Sequence, residues 1–280
     1  MRPGTIVTAI LAAAAALAQA AAPFTLFDLG AGRSLTLAEA LPDLRAKRIL
    51  LVGEQHTAAD HHRAQLQIIR ALTEAGARVA IGLEMFRRDG QADLDRWTAG
   101  EMPAAEFEAV YARNWNYPWS AYSAIFEYAR AHRIPMLGLN VPPEITRQVA
   151  RNGFQSLSGT QRGELSDVTC SVDEEYMRYI REVFGAHAHG GNFTFFCEAQ
   201  MVWDTAMAVH TLDYLRAHPD ATVVILTGVG HAQKGAVPRQ LRLRAPAPVP
   251  TSVLLPELPG AIDRRTTDLQ DADYLITDLN

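Results

Sequence analysis

The chain has 280 residues, 48% hydrophobic and 20% charged, which is enough to bury a large core. Its formal net charge of −5 supplies no broad positive field, which argues against an anionic membrane surface and against nucleic acid as partners. Cys170 and Cys197 are compatible with one disulfide or with two buried free thiols, and the sequence leaves both open.

Arg2, the Ala-rich apolar run Ile6 to Leu17 and the small-x-small site Ala18-Gln19-Ala20 read as a signal peptide over residues 1–20, with the mature chain starting at Ala21. No cysteine stands near that site for acylation, so the expected product is soluble, exported and periplasmic. Residues 21–280 are expected to form one α/β domain, a mostly parallel central sheet flanked by helices, with large helical excursions at about 90–132 and 143–217.

Phe24 to Leu37 reads as an edge hairpin, followed by a short helix to Leu44. Arg48 to Gly53 is the first buried strand. Asp60 to Ala75 then sets Ala64, Ile68, Ala71, Leu72 and Ala75 on one helical face, with Gly76 as its stop. Arg78 to Glu84 is a second buried strand, and its short link to that helix predicts a parallel β-α-β unit. Gln91 to His132 is helical throughout, with Leu94 and Trp97, then Phe107, Val110 and Tyr111, then Ile125, Phe126 and Ala129 turned inward. Pro135 to Asn140 is a third strand, and Pro142-Pro143 opens a helix. Two further helices, Val172 to Phe184 and about Phe195 to Ala217, precede a fourth strand, Thr222 to Gly228. Pro250 to Leu255 and Tyr274 to Thr277 are weaker strand candidates that would complete the sheet.

Four strands each finish on polar groups: Glu54 with His56, Glu84, Asn140, and His231. In a parallel sheet such ends converge on one crevice, where α/β proteins place ligands. Gly53, Gly228 and Gly230 stand where a side chain would obstruct the backbone or a ligand. Two carboxylates and two imidazoles could ligate Zn²⁺, Mn²⁺ or Fe²⁺, or could activate water without a metal, and residue types alone do not choose between these. Gln200 and Asp204, four apart on the long helix with Glu198 nearby, share one face that either lines the crevice or meets solvent. One of His61 and His62 is placed to assist. His187 and His189, in a Gly-bearing loop, are a weak metal signal. The aromatic run Trp115 to Tyr122, with Tyr117 and Tyr122, either walls a pocket for a flat ligand or packs into the core.

Taken in order, the chain resembles the ChaN-like haem-binding uptake branch of the Tiki superfamily. The residues that carry the resemblance are Gly53-Glu-Gln-His56, then Gly82-Leu-Glu-Met-Phe86 followed by Arg88-Asp89 and Gln91, then Leu139-Asn-Val-Pro142. The helix from Glu198-Ala-Gln200 to Trp203-Asp204-Thr-Ala-Met207-Ala208, and Gly228-Val-Gly-His231 with Pro238, complete the set. The resemblance implies an α/β fold with helical insertions, haem as cofactor in iron uptake, and a membrane haem-uptake machinery as partner. In some members it also implies a homodimer with a tyrosine on the iron. Asn140, Gln200, Asp204, Tyr117 and Tyr122 are the candidate cofactor contacts. Many members are lipoproteins, whereas this chain has no cysteine at its expected cleavage site. The wider superfamily is similar to metal-dependent proteases and erythromycin-esterase-like hydrolases, in which positions matching Glu54, His56, Glu84 and His231 carry hydrolysis or bind metal.

Overall fold

The computed structural model describes residues 24–165, 167–185 and 192–279; the expected leader at 1–20 and the His187 and His189 pair lie outside them. A hairpin of β1 (Thr25–Asp28) and β2 (Arg33–Thr36) leads into α1 (Leu37–Arg45), β3 (Ile49–Glu54), α2 (Ala59–Glu74) and β4 (Arg78–Arg87). Then come α3 (Gln91–Thr98), α4 (Ala104–Asn114), α5 (Trp119–His132), β5 (Met136–Asn140), α6 (Pro143–Asn152), α7 (Gly159–Glu164), α8 (Glu174–Phe184) and α9 (Phe193–Ala217). The chain closes with β6 (Ala221–Gly228), α10 (Val229–Ala232), α11 (Val237–Arg244), β7 (Thr251–Pro256) and β8 (Tyr274–Thr277).

The sheet has eight strands in the order β2-β1-β8-β7-β3-β6-β4-β5. From β8 to β5 every pairing is parallel, and only the β1–β2 hairpin joins antiparallel, at one edge. The mostly parallel sheet read from the sequence is therefore present. β3 and β4 are parallel as expected, yet they are not neighbours, because β6 runs between them. β7, one of the two weaker strand candidates, does complete the sheet and pairs directly with β3 inside it.

Alternation divides the core. Leu50, Val52, Val224 and Leu226 face α2 to α5 on one side, while Ile49, Leu51, Val223 and Ile225 face α9 and α11 on the other. That double covering is why β3 is buried at all six residues and reads as an unbroken apolar run. Local signals fix the helix ends: Thr36 and Glu39 form a capping box on α1, and Gly76, at φ +84°, follows α2. α7, α10 and α11 carry no periodic signal long enough to predict.

The thiols of Cys170 and Cys197 are both free, the second fully buried, which selects the free-thiol alternative. Among the described residues, no helix is long and apolar enough to cross a membrane.

One irregularity positions the site. The β4–β5 register shifts between Leu83 and Arg87, a bulge that folds the β4 backbone over β5. Gly138 makes room for it, since a Cβ there would stand 2.2 Å from the Arg87 carbonyl oxygen. A Gly138→Ala variant should lose about 2–3 kcal/mol of stability in urea unfolding, because backbone and not a yielding side chain is in the way; an unchanged midpoint would contradict the packing described.

Candidate functional site

The strand register assembles the site. Glu54 is paired with Gly228 across β3–β6, and Leu83 with Leu226 across β4–β6, so Glu54, Thr227 with Gly228, and Glu84 stand at one level on three adjacent strands. Neighbouring strands are about 4.8 Å apart, which sets the spacing of these groups. Asn140 ends β5 beside them, donating from Nδ2 to the Glu84 carbonyl oxygen (2.8 Å) while its Oδ1 accepts from the Val141 amide (2.8 Å). It thus mends the backbone pairing that the bulge interrupts.

Glu54 is 1% exposed and surrounded by donors. His56 Nδ1 lies 2.7 Å from Oε1, the Tyr122 hydroxyl donates to Oε1 at 2.5 Å, and Gln65 Nε2 donates to Oε2 at 2.9 Å. His62 Nε2 adds a longer approach of 3.4 Å to Oε2. Burial alone would raise the carboxyl, but the His56 hydrogen bond, the nearby His62 imidazole and the Tyr122 hydrogen bond outweigh it and hold Glu54 at about 2. Burial likewise disfavours a charge on His56, and the Glu54 bond with the nearby Glu84 charge reverses this, leaving the imidazole above its usual range.

A second pair faces the first. Asp204, from α9, sits 2.6 Å from His231 Nδ1 through Oδ1, and its Oδ2 accepts from the Tyr176 hydroxyl at 2.5 Å. Burial opposes the imidazolium, but the Asp204 charge and hydrogen bond, helped by Glu84, hold His231 up at about 9. Burial also pushes Asp204 above the ordinary carboxylate range. The pair therefore keeps its proton through neutral pH. Tyr179 braces the turn by donating to the Gly230 carbonyl.

Glu84 lies between the pairs, acting electrostatically on both imidazoles, and is fixed by Thr227 Oγ1 (2.5 Å) and the Gly228 amide (2.7 Å). Gly228 permits this closeness: a Cβ there would come within 3.2 Å of His56 Cε1 and 3.8 Å of Glu84 Oε2. Gly230 is equally crowded, with Phe184 Cζ 2.8 Å from a Cβ position.

Glu54, His56, Glu84 and His231 are thus brought together as expected from the strand ends, with Asn140 and Asp204 beside them. They do not form a metal cluster. Among the described residues, no group of three or more His, Cys, Asp or Glu side chains is arranged to hold an ion. The Mn, Zn or Fe alternative that residue type left open finds no support here, because the carboxylates are occupied by imidazole, hydroxyl, amide and backbone donors.

Tyr122 is placed differently from a ligand contact: it is fully buried, its hydroxyl is spent on Glu54, and burial beside that carboxylate keeps the phenol protonated. Tyr117 is half-buried at the mouth, with Tyr117 and Trp115 rings each 5.0 Å from the His56 ring. Gln200 is 5% exposed, one turn before Asp204. Neither His61 nor His62 faces solvent: His61 Nδ1 accepts from the Gln55 amide (2.9 Å), and the His62 ring packs tilted against Tyr122 at 4.0 Å. The sequence pattern does not single out Gln65 or Thr227. The polar His61, His62 and Gln65 on an otherwise apolar helix face were a usable sign, whereas nothing local links Tyr176 to Asp204, 28 residues away.

A family profile described as haem-binding uptake, Tiki superfamily, ChaN matches residues 40–241. The chain belongs to this family. Among solved structures it is similar to ChaN of Campylobacter jejuni, described for cofacial haem binding, with TM-score 0.71 and 19% identity over 92% of this chain and 97% of that one. It is also similar to the type III effector HopBA1, with TM-score 0.51 and 13% identity over 86% and 91% of the two chains. At such identities these likenesses bear on the fold alone, and they bear out the α/β architecture with helical insertions. No curated protein matches the chain.

Glu54 ionised in the fold at about 2, against an ordinary 4.5, contributes stability that is complete above pH 4.5 and lost as the pH falls towards 2. Glu54→Gln should cost about 3 kcal/mol at pH 7 by leaving His56 and Tyr122 badly paired. Its deficit relative to wild type should shrink between pH 4.5 and 2 in denaturant titrations. A deficit constant with pH would contradict the assignment.

Proposed function

We propose that this protein is an exported haem carrier in iron acquisition, holding haem at the strand-end face beside His56. The family match over residues 40–241 supports the ligand, and the composition of the first twenty residues supports export. The observation that carries the reading is Tyr117. Among the eight tyrosines, Tyr111, Tyr122, Tyr176, Tyr179 and Tyr274 give their hydroxyls to protein acceptors. Tyr128 and Tyr214 pack on His132 and His218, away from the strand ends. Tyr117 is half-buried beside the site and its hydroxyl has no hydrogen bond from the described residues.

Tyr117 therefore fits as the phenolate donor, with Trp115 offering a flat apolar face beside it at 5.3 Å between rings. His56, its Nδ1 tied to Glu54, would be held in one orientation next to the porphyrin. Bound haem would supply an iron centre for storage or transfer. The partners that follow are a second copy of the chain and a membrane haem-uptake machinery.

A second reading, a His/Glu-dependent hydrolase of peptide, ester or lactone bonds, is favoured by the two carboxylate–imidazole pairs on either side of Glu84. In it His56, oriented by Glu54, takes a proton from water, and His231, which keeps its proton, donates to the carbonyl oxygen of the bond under attack.

Hemin titration of the purified protein should give a saturable Soret shift, weakened about tenfold or more in Tyr117→Phe but retained in a folded Tyr122→Phe variant. No shift, or one indifferent to Tyr117, would overturn the carrier reading. For the hydrolytic reading, the rate should rise with pH through a limb displaced above the ordinary imidazole value of 6.5, since His56 must lose its raised proton to act as base. Glu54→Gln should move that limb downward while lowering the maximum; a limb that stays put would remove His56 as the base.

A further inference from the structure

His231 stands in surroundings that neither reading above uses in full. Its ring meets Trp203 edge-on at 5.6 Å and Phe184 at 6.5 Å, and Phe184 in turn meets Phe196 at 5.6 Å. Phe196, Gln200 and Asp204 are spaced four residues apart, and Trp203 stands three after Gln200, so they lie along one side of α9. That part of the helix overhangs the sheet edge. Met207 Sδ lies 3.8 Å from Thr227, and His210 Nδ1 lies 2.9 Å from the Leu139 carbonyl oxygen, both near strand ends. Each turn towards the helix N-terminus therefore lies further along the axis from these contacts, and Gln200 stands about 6 Å beyond Asp204 on the same side of the helix.

Gln200 is 5% exposed, and its Oε1 is buried without a hydrogen bond from any described residue. A buried acceptor left unmet is costly unless something else meets it; Gln200 Oε1 is one of nine such buried polar atoms among the described residues, and it shares a side of α9 with Asp204. His231 meanwhile has Nδ1 committed to Asp204 and its other nitrogen, Nε2, available. The half-buried Phe184, Phe196 and Trp203 make apolar flanks that reach the surface.

We propose that the α8–α9–α10 wall is a subsite for an amide-bearing ligand, whose carbonyl oxygen accepts from His231 Nε2 and whose N–H donates to Gln200 Oε1 between apolar flanks. An ester or lactone offers the same carbonyl but no N–H, and leaves Gln200 unmet. The site is thereby selective for amides over esters. This goes beyond haem carriage on the Tyr117 side, and it deepens the hydrolytic reading by naming its substrate class, resting on that reading only for cleavage.

The test uses N-methylphenylacetamide and its matched ester, methyl phenylacetate, titrated into the full chain with isotope-labelled histidine. Binding is read from the His231 ring resonances and cleavage separately from released phenylacetate. The amide should bind about tenfold more tightly than the ester, with the largest shifts at His231, and Gln200→Leu should erase the difference while ester binding is kept. Equal affinities in the wild type, no binding by either probe, or shifts away from His231 would overturn the subsite, and these outcomes need no variant to fold. Amide-selective binding with no phenylacetate released would instead sink the hydrolytic reading and leave the subsite standing.

Discussion

A carboxylate buried at the end of the central strand is the constraint on which the site depends. Glu54 is ionised in a place with almost no water, which is tolerable only while His56, Gln65, Tyr122 and His62 converge on its two oxygens. Those four come from the turn after β3, from α2 and from α5. Satisfying one charge thus locks the strand, its following helix and the first helical excursion into a single arrangement. The partly exposed His56 inherits a fixed orientation and a raised pKa from that arrangement.

The second pair repeats the device from the opposite side of the sheet. Asp204 is fixed by Tyr176 of α8 and His231 of the turn after β6, and α9, which carries Asp204, covers with α11 the face that α2 to α5 do not. Glu84, on β4, is what the two halves share. Because Thr227 and the Gly228 amide hold it in place, its charge reaches both imidazoles from a fixed position. A site so preorganised is costly to keep in a fold, and that cost is readily understood where ligands must be held or protons moved.

Much of this was legible in the sequence. β3, β4, β5 and β6 announce themselves as apolar runs because a parallel sheet buried on both faces needs no polar alternation, and their polar last residues follow from the rule that such strands end at a crevice. What pattern could not supply is order and partnership. β6 enters between β3 and β4 after a long helical excursion, and it is this insertion that puts Gly228 beside Glu54. Residue type also left two points open. His, Glu and Asp together allowed a metal site, although hydrogen bonds among themselves and with Tyr, Thr and Gln use the same lone pairs. Tyr122 suggested a ligand contact, although its position on the inner face of α5 turns its hydroxyl to Glu54. Tyr117, in the turn before that helix, escapes the core and stays at the mouth.

The central claim is that the strand-end face beside Glu54 and His56 is where this protein meets its ligand. A nuclear magnetic resonance titration with gallium protoporphyrin, a diamagnetic stand-in for haem, tests it directly. The account predicts that the largest and earliest shifts fall on the Trp115 indole, the Tyr117 ring and the His56 imidazole. Shifts gathered instead around the distant crevice lined by Pro238, Arg242, Pro246 and Val249, or no saturable shifts at all, would contradict it.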